Sequence, residues 1–312
     1  MSAVPVEAVD PGTETVSEKP VLSVVIPTFN RASVLPRLLV ALGVCQRPEG
    51  GVEFIVVDDG SSDETARVVA QAALPGLVYL HQANAGAAAA RNLGWRSARG
   101  TLIAFTDDDC VPSPGWMVEL VDAFAGADVA AIGGTVVPFV PGFRAEFIQA
   151  ERMVSHGGDA DSVKYLVTAN AAFTREALDA VGGFDERFPG AAGEDTDLTF
   201  RIQDRQMGVT LIEGATVAHD HRTSMRGLFR TYYRHGRAWL ILAHAHPDRE
   251  LGTRSGSMAK PTYWRDRYEY YRDERASRGA AVAYCGLRLA GLTCFATGMV
   301  REALEERRSA RR

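Results

Sequence analysis

The chain has 312 residues and a formal net charge of −5 at pH 7. Its 46% hydrophobic and 23% charged residues match ordinary globular usage, which excludes a collagen-like, coiled-coil or globally disordered chain. The negative charge argues against general nucleic-acid binding, so no nucleic-acid partner is expected. Four cysteines, none of them in a CxxC pair, argue against a zinc cluster or disulfide framework and favour a reducing compartment.

Composition divides the chain into three parts. Residues 1–20 combine acidic, proline and small residues without the basic flank and apolar stretch of a signal peptide, which predicts a disordered tail. Residues 21–222 carry alternating strand and helix patterns and predict one α/β domain. Residues 223–312 are rich in arginine and apolar residues, and predict a C-terminal helical extension that is both basic and apolar.

The first half of the domain alternates strand and helix patterns. Runs of apolar residues predict strands at 21–26, 54–57, 77–81 and 102–106. Leucines at helical spacing follow the first strand, Ser61 and Glu64 form a capping-box pattern after the second, and an alanine-rich helix is expected at 85–98. Strands joined through helices predict a parallel sheet.

The second half is less regular. Strands are expected at 129–139 and 209–217, and helices at 174–181, 194–207 and 223–244. Glycines at 190 and 193 bound a predicted flexible loop, and the polar, arginine-rich segment 247–278 predicts a loop with helical patches.

Polar residues follow three of the predicted strands. PTFNR at 27–31 follows the first, Asp58 and Asp59 end the second, and three aspartates at 107–109 follow the fourth. In an open parallel sheet these ends meet at one edge, where ligands bind. Three consecutive carboxylates repel one another, and a divalent cation such as Mg²⁺ or Mn²⁺ would remove that repulsion. A solvated acidic turn that caps the next helix is the alternative interpretation.

Two nucleotide-binding signatures are missing. No GxGxxG follows the first predicted strand, and no GxxxxGK[ST] occurs anywhere in the chain. A dinucleotide dehydrogenase and a P-loop enzyme both lose their main sequence support.

Five segments, in order, resemble the motifs of family 2 glycosyltransferases. They are SVVIPTFNR (23–31), VVDDGSSDET (56–65), NAGAAAARNLG (84–94), FTDDDC (105–110), and NAAFTREALDAVGGFDERF (170–188) with GEDTDLTFR (193–201). The resemblance spans about two thirds of the chain. It implies a GT-A fold with a Rossmann-like, mostly parallel sheet flanked by helices. It also implies a nucleotide-diphosphate sugar donor, a Mn²⁺ or Mg²⁺ cofactor, inversion at the sugar, and a place in cell-envelope polysaccharide biosynthesis.

The resemblance also assigns roles to individual residues. Nucleotide-sugar contacts are implied for Pro27, Thr28, Asn30, Arg31, Asp59, Arg91, Asp107 and Asp108. Metal ligation is implied for Asp109, with Asp107 and His219. Many relatives have a further acid where this chain has Cys110, so Asp108 competes with Asp109 as the ligand. His221 competes with His219, and an exposed loop histidine is the plain alternative.

Asp195 is the implied catalytic base, with Glu194 beside it. Both residues begin a predicted helix, where the positive end of the helix dipole favours an ionised carboxylate. Ordinary capping of that helix is the alternative. The QxxRW pattern of processive synthases is missing, which argues against polymerisation of a long glycan.

Two C-terminal segments raise the question of a membrane. Arg222, Arg226, Arg230, Arg234 and Arg237 form a basic stripe that would suit an anionic membrane surface, a phosphate-bearing acceptor or a solvated helix face. Residues 280–300 are long and apolar enough to span a bilayer, but Arg288 near the centre favours packing or an interfacial position. We expect a cytoplasmic protein, located at the inner face of the cell membrane if the basic segments bind it.

The sequence thus predicts transfer of one sugar from a nucleotide-diphosphate sugar to a glycan or polyprenyl-linked acceptor. A sugar-phosphate nucleotidyltransferase shares a similar sheet, but should carry a glycine-rich, basic loop after the first strand. A nucleotide-sugar-binding protein without catalysis, attached to a membrane surface, is the second alternative.

Overall fold

A computed structural model describes residues 19–126, 128–151, 153–160, 162–188, 190–221, 224–249, 261–273 and 277–309. The expected tail at 1–20 therefore lies almost entirely outside the described residues, and so does the expected domain boundary at 222–223.

Twelve strands and ten α-helices occur in these described ranges. The strands are β1 (Leu22–Thr28), β2 (Val52–Asp58), β3 (Leu77–His81), β4 (Leu102–Phe105), β5 (Cys110–Pro112), β6 (Ala131–Gly133), β7 (Val136–Pro138), β8 (Gly157–Gly158), β9 (Val163–Tyr165), β10 (Ala171–Thr174), β11 (Val209–Leu211) and β12 (Val217–His219). The helices are α1 (Leu35–Val44), α2 (Thr65–Ala70), α3 (Ala87–Ser97), α4 (Trp116–Ala125), α5 (Phe143–Ala150), α6 (Arg175–Val181), α7 (Glu194–Asp204), α8 (Met225–Ala245), α9 (Pro261–Asp273) and α10 (Arg278–Ser309).

The central sheet has seven strands in the order β11-β6-β10-β4-β1-β2-β3. Strands β4, β1, β2 and β3 are parallel neighbours, whereas β10 runs antiparallel to both β4 and β6. The expected α/β fold with a mostly parallel sheet is confirmed. The register pairs Thr28 with Asp58, so the polar ends of β1 and β2 lie side by side.

Alternate residues of β1 enter two different hydrophobic layers. Leu22, Val24 and Ile26 pack with apolar residues of α1 and α4, whereas Val25 packs on the other face with residues of α3, α6 and α7. These side chains are fully buried, and each contributes about 1.5–3 kcal/mol relative to an exposed position. The double coverage explains why β1 is a continuous apolar run rather than an alternating one.

Two segments expected as single strands are each divided between two sheets. Segment 129–139 forms β6 in the central sheet and β7 in a small sheet ordered β5-β12-β7. Segment 209–217 forms β11, and β12 begins only at Val217. The segment between β6 and β7 contacts the segment between β11 and β12. A Cβ on Gly134 would lie only 2.5 Å from the carbonyl oxygen of Ala215, and Ala215 has a φ of 48°. Close backbone approach and a left-handed turn end both strands, and apolar patterning carries no sign of either.

The expected capping box before α2 is wrong. The helix begins at Thr65, one residue after Glu64, and the Ser61 hydroxyl instead accepts a hydrogen bond from the backbone N–H of Asn30. Asp63 takes the local capping role, because its carboxylate accepts from the Thr65 N–H at 3.1 Å. Ser61 is therefore used to join the loops that follow β1 and β2.

Helices α8 and α10 pack side by side in the same direction. Glycines at the crossing allow close contact: Gly236 and Gly298 lie against the backbone of Phe295 and Tyr233, and Gly291 lies against the ring of Tyr232. Arg237 also donates to Glu302 at 2.6 Å. The segment expected as a loop with helical patches at 247–278 contains α9, which packs against α10. The expected C-terminal helical extension is confirmed.

The basic stripe expected along α8 does not face one surface. Arg222 lies outside the described residues, Arg226 and Arg230 are exposed, and Arg237 is paired with α10. Arg234 turns toward the interior. Residues four apart on an α-helix drift by about 40° per step, so a long row of such arginines winds around the helix.

Helix α10 is, by length and composition, able to cross a membrane over residues 278–308. Arg288, however, is bonded to Glu151 of the segment after α5 and to the hydroxyl of Tyr263, 2.7 Å away. The Tyr284 hydroxyl likewise donates to Glu146 at 3.1 Å. These contacts place one face of α10 against the protein, as the central arginine predicts.

Packing of α3 on the sheet gives a stability prediction. A methyl group on Gly94 would lie 2.3 Å from Cγ1 of buried Val25, so Gly94→Ala should lower the free energy of unfolding by about 1–3 kcal/mol. Gly286 on α10 has nothing within 4 Å of the same position, so Gly286→Ala should raise it by up to about 1 kcal/mol. Urea unfolding of both variants tests this, and a Gly94→Ala protein as stable as wild type would contradict it.

Candidate active site

A cavity of about 2250 Å³ lies beyond the carboxyl ends of β1, β2 and β4. It brings together most of the residues selected from the sequence: Pro27, Thr28, Arg31, Asp59, Arg91, Asp107, Asp108, Asp109, Glu194, Asp195 and His219. Asn30 is not among the lining residues. Its side-chain oxygen accepts a hydrogen bond from the Ser62 N–H at 2.8 Å, and its backbone φ is 54°. That residue shapes the loop after β1.

Asp59 is held rigidly at the β2 end of the cavity. One carboxylate oxygen accepts from the Gln82 amide at 2.7 Å and the Ala85 N–H at 2.8 Å, and the other accepts from the Gly86 N–H at 2.9 Å. The preceding Asp58 accepts from the Ser61 N–H and the Tyr79 hydroxyl. Together the two aspartates fix the loops after β2 and β3, and with them the wall of the cavity.

Asp108 points back toward β1. Its carboxylate accepts from the Thr28 hydroxyl at 2.8 Å and lies 3.5 Å from Nε of Arg31. Burial, aided by the neighbouring Asp109, raises the pKa of this carboxyl to about 7. The middle aspartate of the triplet is thus bonded to the protein on the β1 side.

Asp109 faces a histidine from a different sheet. Its Oδ1 lies 3.3 Å from Nε2 of His219, and makes no hydrogen bond to any residue in the described ranges. Ligand atoms of Asp109, Cys110 and His219 all lie within 4.8 Å of one another. An oxygen and an imidazole nitrogen at this spacing fit a divalent cation, and the orphaned Asp109 oxygen has room for one. Cys110 is a poorer donor, because burial holds its pKa well above the usual range and keeps the thiol protonated.

His221 orients His219. Their Nδ1 atoms are 2.9 Å apart, so one ring donates to the other. Burial, with a contribution from His219, lowers the pKa of His221 to about 4, so His221 is neutral at pH 7. The contact fixes the His219 ring with Nε2 toward Asp109, an arrangement typical of histidines that bind metals. Of the two histidines, His219 is the one at the aspartate.

Arg91 connects the aspartate triplet to the start of α7. The guanidinium is almost fully buried and bonds to Glu194 at 2.7 Å and to Asp107 at 3.0 Å. Nucleotide-sugar contacts were expected for Arg91 and Asp107, and metal ligation for Asp107 as well. The structure pairs Arg91 with Asp107 at the edge of the cavity, and Asp107 lies outside the group of ligand atoms around Asp109. The available signal was an arginine directly after the four alanines that begin α3, since a buried arginine needs a carboxylate.

Asp195 opens into the cavity, whereas Glu194 beside it is buried in the pair with Arg91. Burial, with the negative charge of Glu194 next, raises the pKa of Asp195 to about 7. The helix dipole alone predicted a readily ionised carboxylate. Removal from water outweighs the dipole, because the dipole effect amounts to only about 0.3–1 kcal/mol at ordinary sites.

One further pair was missed from the sequence. His246 bonds to buried Asp197 at 2.8 Å, and so joins the end of α8 to α7. This pairing has no sequence signal, because it joins elements far apart in the chain. Arg234, expected in a basic stripe along α8, lines the same cavity as Asp195.

Comparison with known proteins places this site in a family. Residues 23–182 match the model of "Glycosyl transferase family 2", and residues 153–224 match that of the "N-terminal domain of galactosyltransferase". The chain belongs to glycosyl transferase family 2.

Individual relatives agree with this assignment. The chain is 32% identical over 237 residues to a pre-mycofactocin glycosyltransferase of Mycobacterium tuberculosis, a match that covers 73% of this chain and 48% of the relative. It is 28% identical to glycosyltransferase AglE of Haloferax volcanii, over 66% of this chain and 69% of that protein. The chain thus spans about half the length of the first relative.

A solved structure shares the fold. The mannosyltransferase PcManGT from Pyrobaculum calidifontis, in complex with GDP-Man and Mn²⁺, aligns over 92% of this chain and 76% of its own. The TM-score is 0.58 at 21% identity. The fold is the GT-A fold expected from the family.

The buried Arg91 pairs give a second stability prediction. Arg91→Met leaves the buried Glu194 without its partner, and should lower the free energy of unfolding by about 3–5 kcal/mol. Adding Glu194→Gln removes the unpaired charge and should recover part of that loss. The exposed Arg96→Met on the same helix is the control, with a loss below about 1 kcal/mol. Equal losses for both arginines in urea unfolding would contradict a structural role for Arg91.

Proposed function

We propose that this family 2 glycosyltransferase moves one sugar from a nucleotide-diphosphate sugar to a glycan or lipid-linked acceptor, with inversion and with Asp195 as the base. The observation that carries the proposal is that Asp59, Asp109 and Asp195 line one cavity. In it, Asp59 with Pro27, Thr28 and Arg31 contacts the nucleotide, and Asp107 faces the ribose.

The proposed reaction is a single displacement. The acceptor hydroxyl oxygen bonds to the anomeric carbon as the bond from that carbon to the diphosphate oxygen breaks, and the electron pair of that bond leaves with the diphosphate. Asp195 takes the hydroxyl proton. A displacement from the opposite face inverts the anomeric configuration. Glu194 holds Arg91 and does not reach the reacting atoms itself.

Asp109 and His219 are the residues proposed to hold Mn²⁺ or Mg²⁺. Their donor atoms face each other at 3.3 Å, and His221 orients the imidazole. A bound divalent cation supplies positive charge to the departing diphosphate. His219 must then present a bare Nε2, so its Nδ1 donates the hydrogen bond to His221.

A nucleotide-sugar-binding protein without catalysis is the alternative that the site still allows. It would bind donor and cation in the same way, so binding alone does not separate the two. Release of nucleoside diphosphate in the presence of acceptor does.

Two variants should fail at different steps. Asp109→Asn should weaken Mn²⁺-dependent binding of nucleoside diphosphate at least tenfold, because loss of even an outer-shell group typically costs about 10–100-fold. Asp195→Asn should bind normally but lose about 10²–10⁴-fold in kcat. The pKa of Asp195 is raised to about 7, and only the deprotonated carboxylate can act as a base. Below pH 7 the wild-type rate should therefore fall about tenfold per pH unit, whereas the residual rate of Asp195→Asn should not change with pH in this way.

Calorimetry with nucleoside diphosphate and a nucleotide-release assay across a donor and acceptor panel measure the two steps. Asp122→Asn, exposed on α4 and outside the cavity, is the control and should behave as wild type. Absence of release from every donor, or an Asp195→Asn variant with full activity, would overturn the proposed transfer.

The outer face of α10 is proposed to lie on an anionic membrane surface. Val282, Leu289, Val300 and Leu304 are 49–63% exposed there. Exposed Arg278, Arg301, Arg307 and Arg308 stand at its two ends. Apolar area with basic flanks is what holds interfacial helices on such surfaces.

Vesicle co-sedimentation tests the membrane contact. The full chain should sediment with vesicles containing phosphatidylglycerol and much less with phosphatidylcholine alone. Leu289→Glu combined with Val300→Glu should abolish sedimentation, whereas Val40→Glu, at an equally exposed position of α1, should not. A chain that stays in the supernatant with both lipids would contradict this placement.

A further inference from the structure

Arg37, in the first turn of α1, contacts the two segments that carry the proposed cation ligands. Its NH1 group donates to the Asp220 carboxylate at 2.9 Å, and its NH2 group donates to the backbone carbonyl of Asp109 at 3.3 Å. Asp220 stands between His219 and His221 in the chain. One guanidinium therefore joins the segment after β4 to the segment after β12.

These contacts lie where the ladder between β5 and β12 ends. The last pair in its register is His219 with Cys110, and one bond follows it, from the Asp220 N–H to the Asp109 carbonyl at 3.0 Å. The ends of a ladder open more readily than its centre, because nothing beyond them holds the strands together. Arg37 donates to the same Asp109 carbonyl and so holds this end closed.

A third segment fixes the guanidinium itself. The group lies over the ring of Phe139, with 4.2 Å between the guanidinium carbon of Arg37 and the ring centre. Phe139 follows β7, and its N–H donates to the carbonyl of His219 at 2.9 Å. A planar guanidinium can lie on a ring and donate to two acceptors at once, which a lysine ammonium cannot do with the same geometry. The position of Arg37 is thus set by the same strands that carry His219.

A plain structural salt bridge and a direct contact with the donor are the alternative roles for Arg37. Its side chain is 28% exposed and lines the cavity, so a ligand could reach it. The hydrogen bonds and the ring contact described above, however, all go to the segments around Asp109 and His219. This pattern favours a role in positioning those two residues.

Charge and positioning predict opposite effects of Arg37 on a cation. A positive side chain beside a cation site repels the ion, so an arginine that contributed charge alone would weaken cation binding. An arginine that holds the ligands in place strengthens cation binding, because the ligands do not have to be ordered when the ion arrives. The sign of the effect therefore distinguishes the two roles.

We propose that Arg37 is a positioning residue, which holds the ends of β5 and β12 together so that the Asp109 carboxylate and Nε2 of His219 stay at cation-binding distance. The inference rests on the proposed cation site. It goes beyond that site because Arg37 acts through Asp220 and the Asp109 backbone, and touches neither the cation nor the donor.

Binding of Mn²⁺ to the full chain, without donor or acceptor, tests the assignment through the electron paramagnetic resonance signal of free Mn²⁺. Arg37→Met should weaken binding about 10–100-fold, the cost typical of losing an outer-shell group. Arg37→Lys should recover part of the loss, since a lysine can keep the bond to Asp220. Arg47→Met is the matched control. Arg47 lies over the Phe54 ring at 4.8 Å, outside the cavity, and its loss should change binding less than twofold.

A double-variant cycle tests whether Arg37 acts through Asp220. Asp220→Ala should weaken Mn²⁺ binding in the wild-type chain. In the Arg37→Met chain the same substitution should cause a loss at least threefold smaller, because the contact is already gone. Equal losses in both chains would show that the two residues act separately, and would overturn the inference.

A Co²⁺ spectrum gives a readout that a purely structural salt bridge would not change. The visible absorption of bound Co²⁺ depends on the geometry of its ligands, so the spectrum of Arg37→Met should differ from that of wild type and of Arg47→Met. Urea unfolding confirms that each variant is folded. An Arg37→Met chain that is less stable but has the wild-type spectrum and Mn²⁺ affinity would reduce Arg37 to a structural role and overturn the inference.

The remaining outcomes separate this inference from the proposed function. Tighter Mn²⁺ binding by Arg37→Met would mean that charge outweighs positioning, and would overturn the inference while leaving the proposed transfer in place. Loss of metal-free binding of nucleoside diphosphate, with unchanged Mn²⁺ binding, would assign Arg37 to the donor and overturn it as well. A wild-type chain that binds no Mn²⁺ would refute the proposed cation site and this inference with it.

Discussion

The buried guanidinium of Arg91 joins two groups of carboxylates at the cavity, the aspartates after β4 and the acids that begin α7. Arg91 bonds to Asp107, which follows β4, and to Glu194, which begins α7. A charge removed from water is costly unless it is paired, so the loss of either contact would leave a buried charge without its partner. They fix the distance between the aspartate triplet and the loop before Asp195. Because Arg91 lies on α3, whose other residues pack on β1, the pairing also depends on the central sheet.

That arrangement gives neighbouring carboxylates different roles. Glu194 and Asp195 are adjacent in the chain, yet one is bonded to arginine and the other faces the cavity with its pKa raised to about 7. In the triplet, Asp107 goes to Arg91, Asp108 to Thr28, and Asp109 to His219. Successive side chains point in different directions, so three identical residues end in three environments. The one with an orphaned oxygen is the one that suits a cation.

The C-terminal helices complete the cavity rather than standing apart from it. Helix α8 packs parallel to α10, with glycines at the crossing, and contributes Arg234 and Trp239 to the lining of the cavity. The same helices present an apolar outer face with basic ends.

The sequence by itself determined the parallel sheet, the GT-A fold and the aspartates that line the cavity, because strand patterns and polar strand ends are local and a parallel sheet brings those ends together. It did not determine which acid pairs with Arg91, which of His219 and His221 faces Asp109, or where the strands at Gly134 and Ala215 break. Those outcomes depend on contacts between segments that are distant along the chain. The environment of Asp195 is the clearest case: helix position predicts a low pKa, and only burial in the folded protein reverses it.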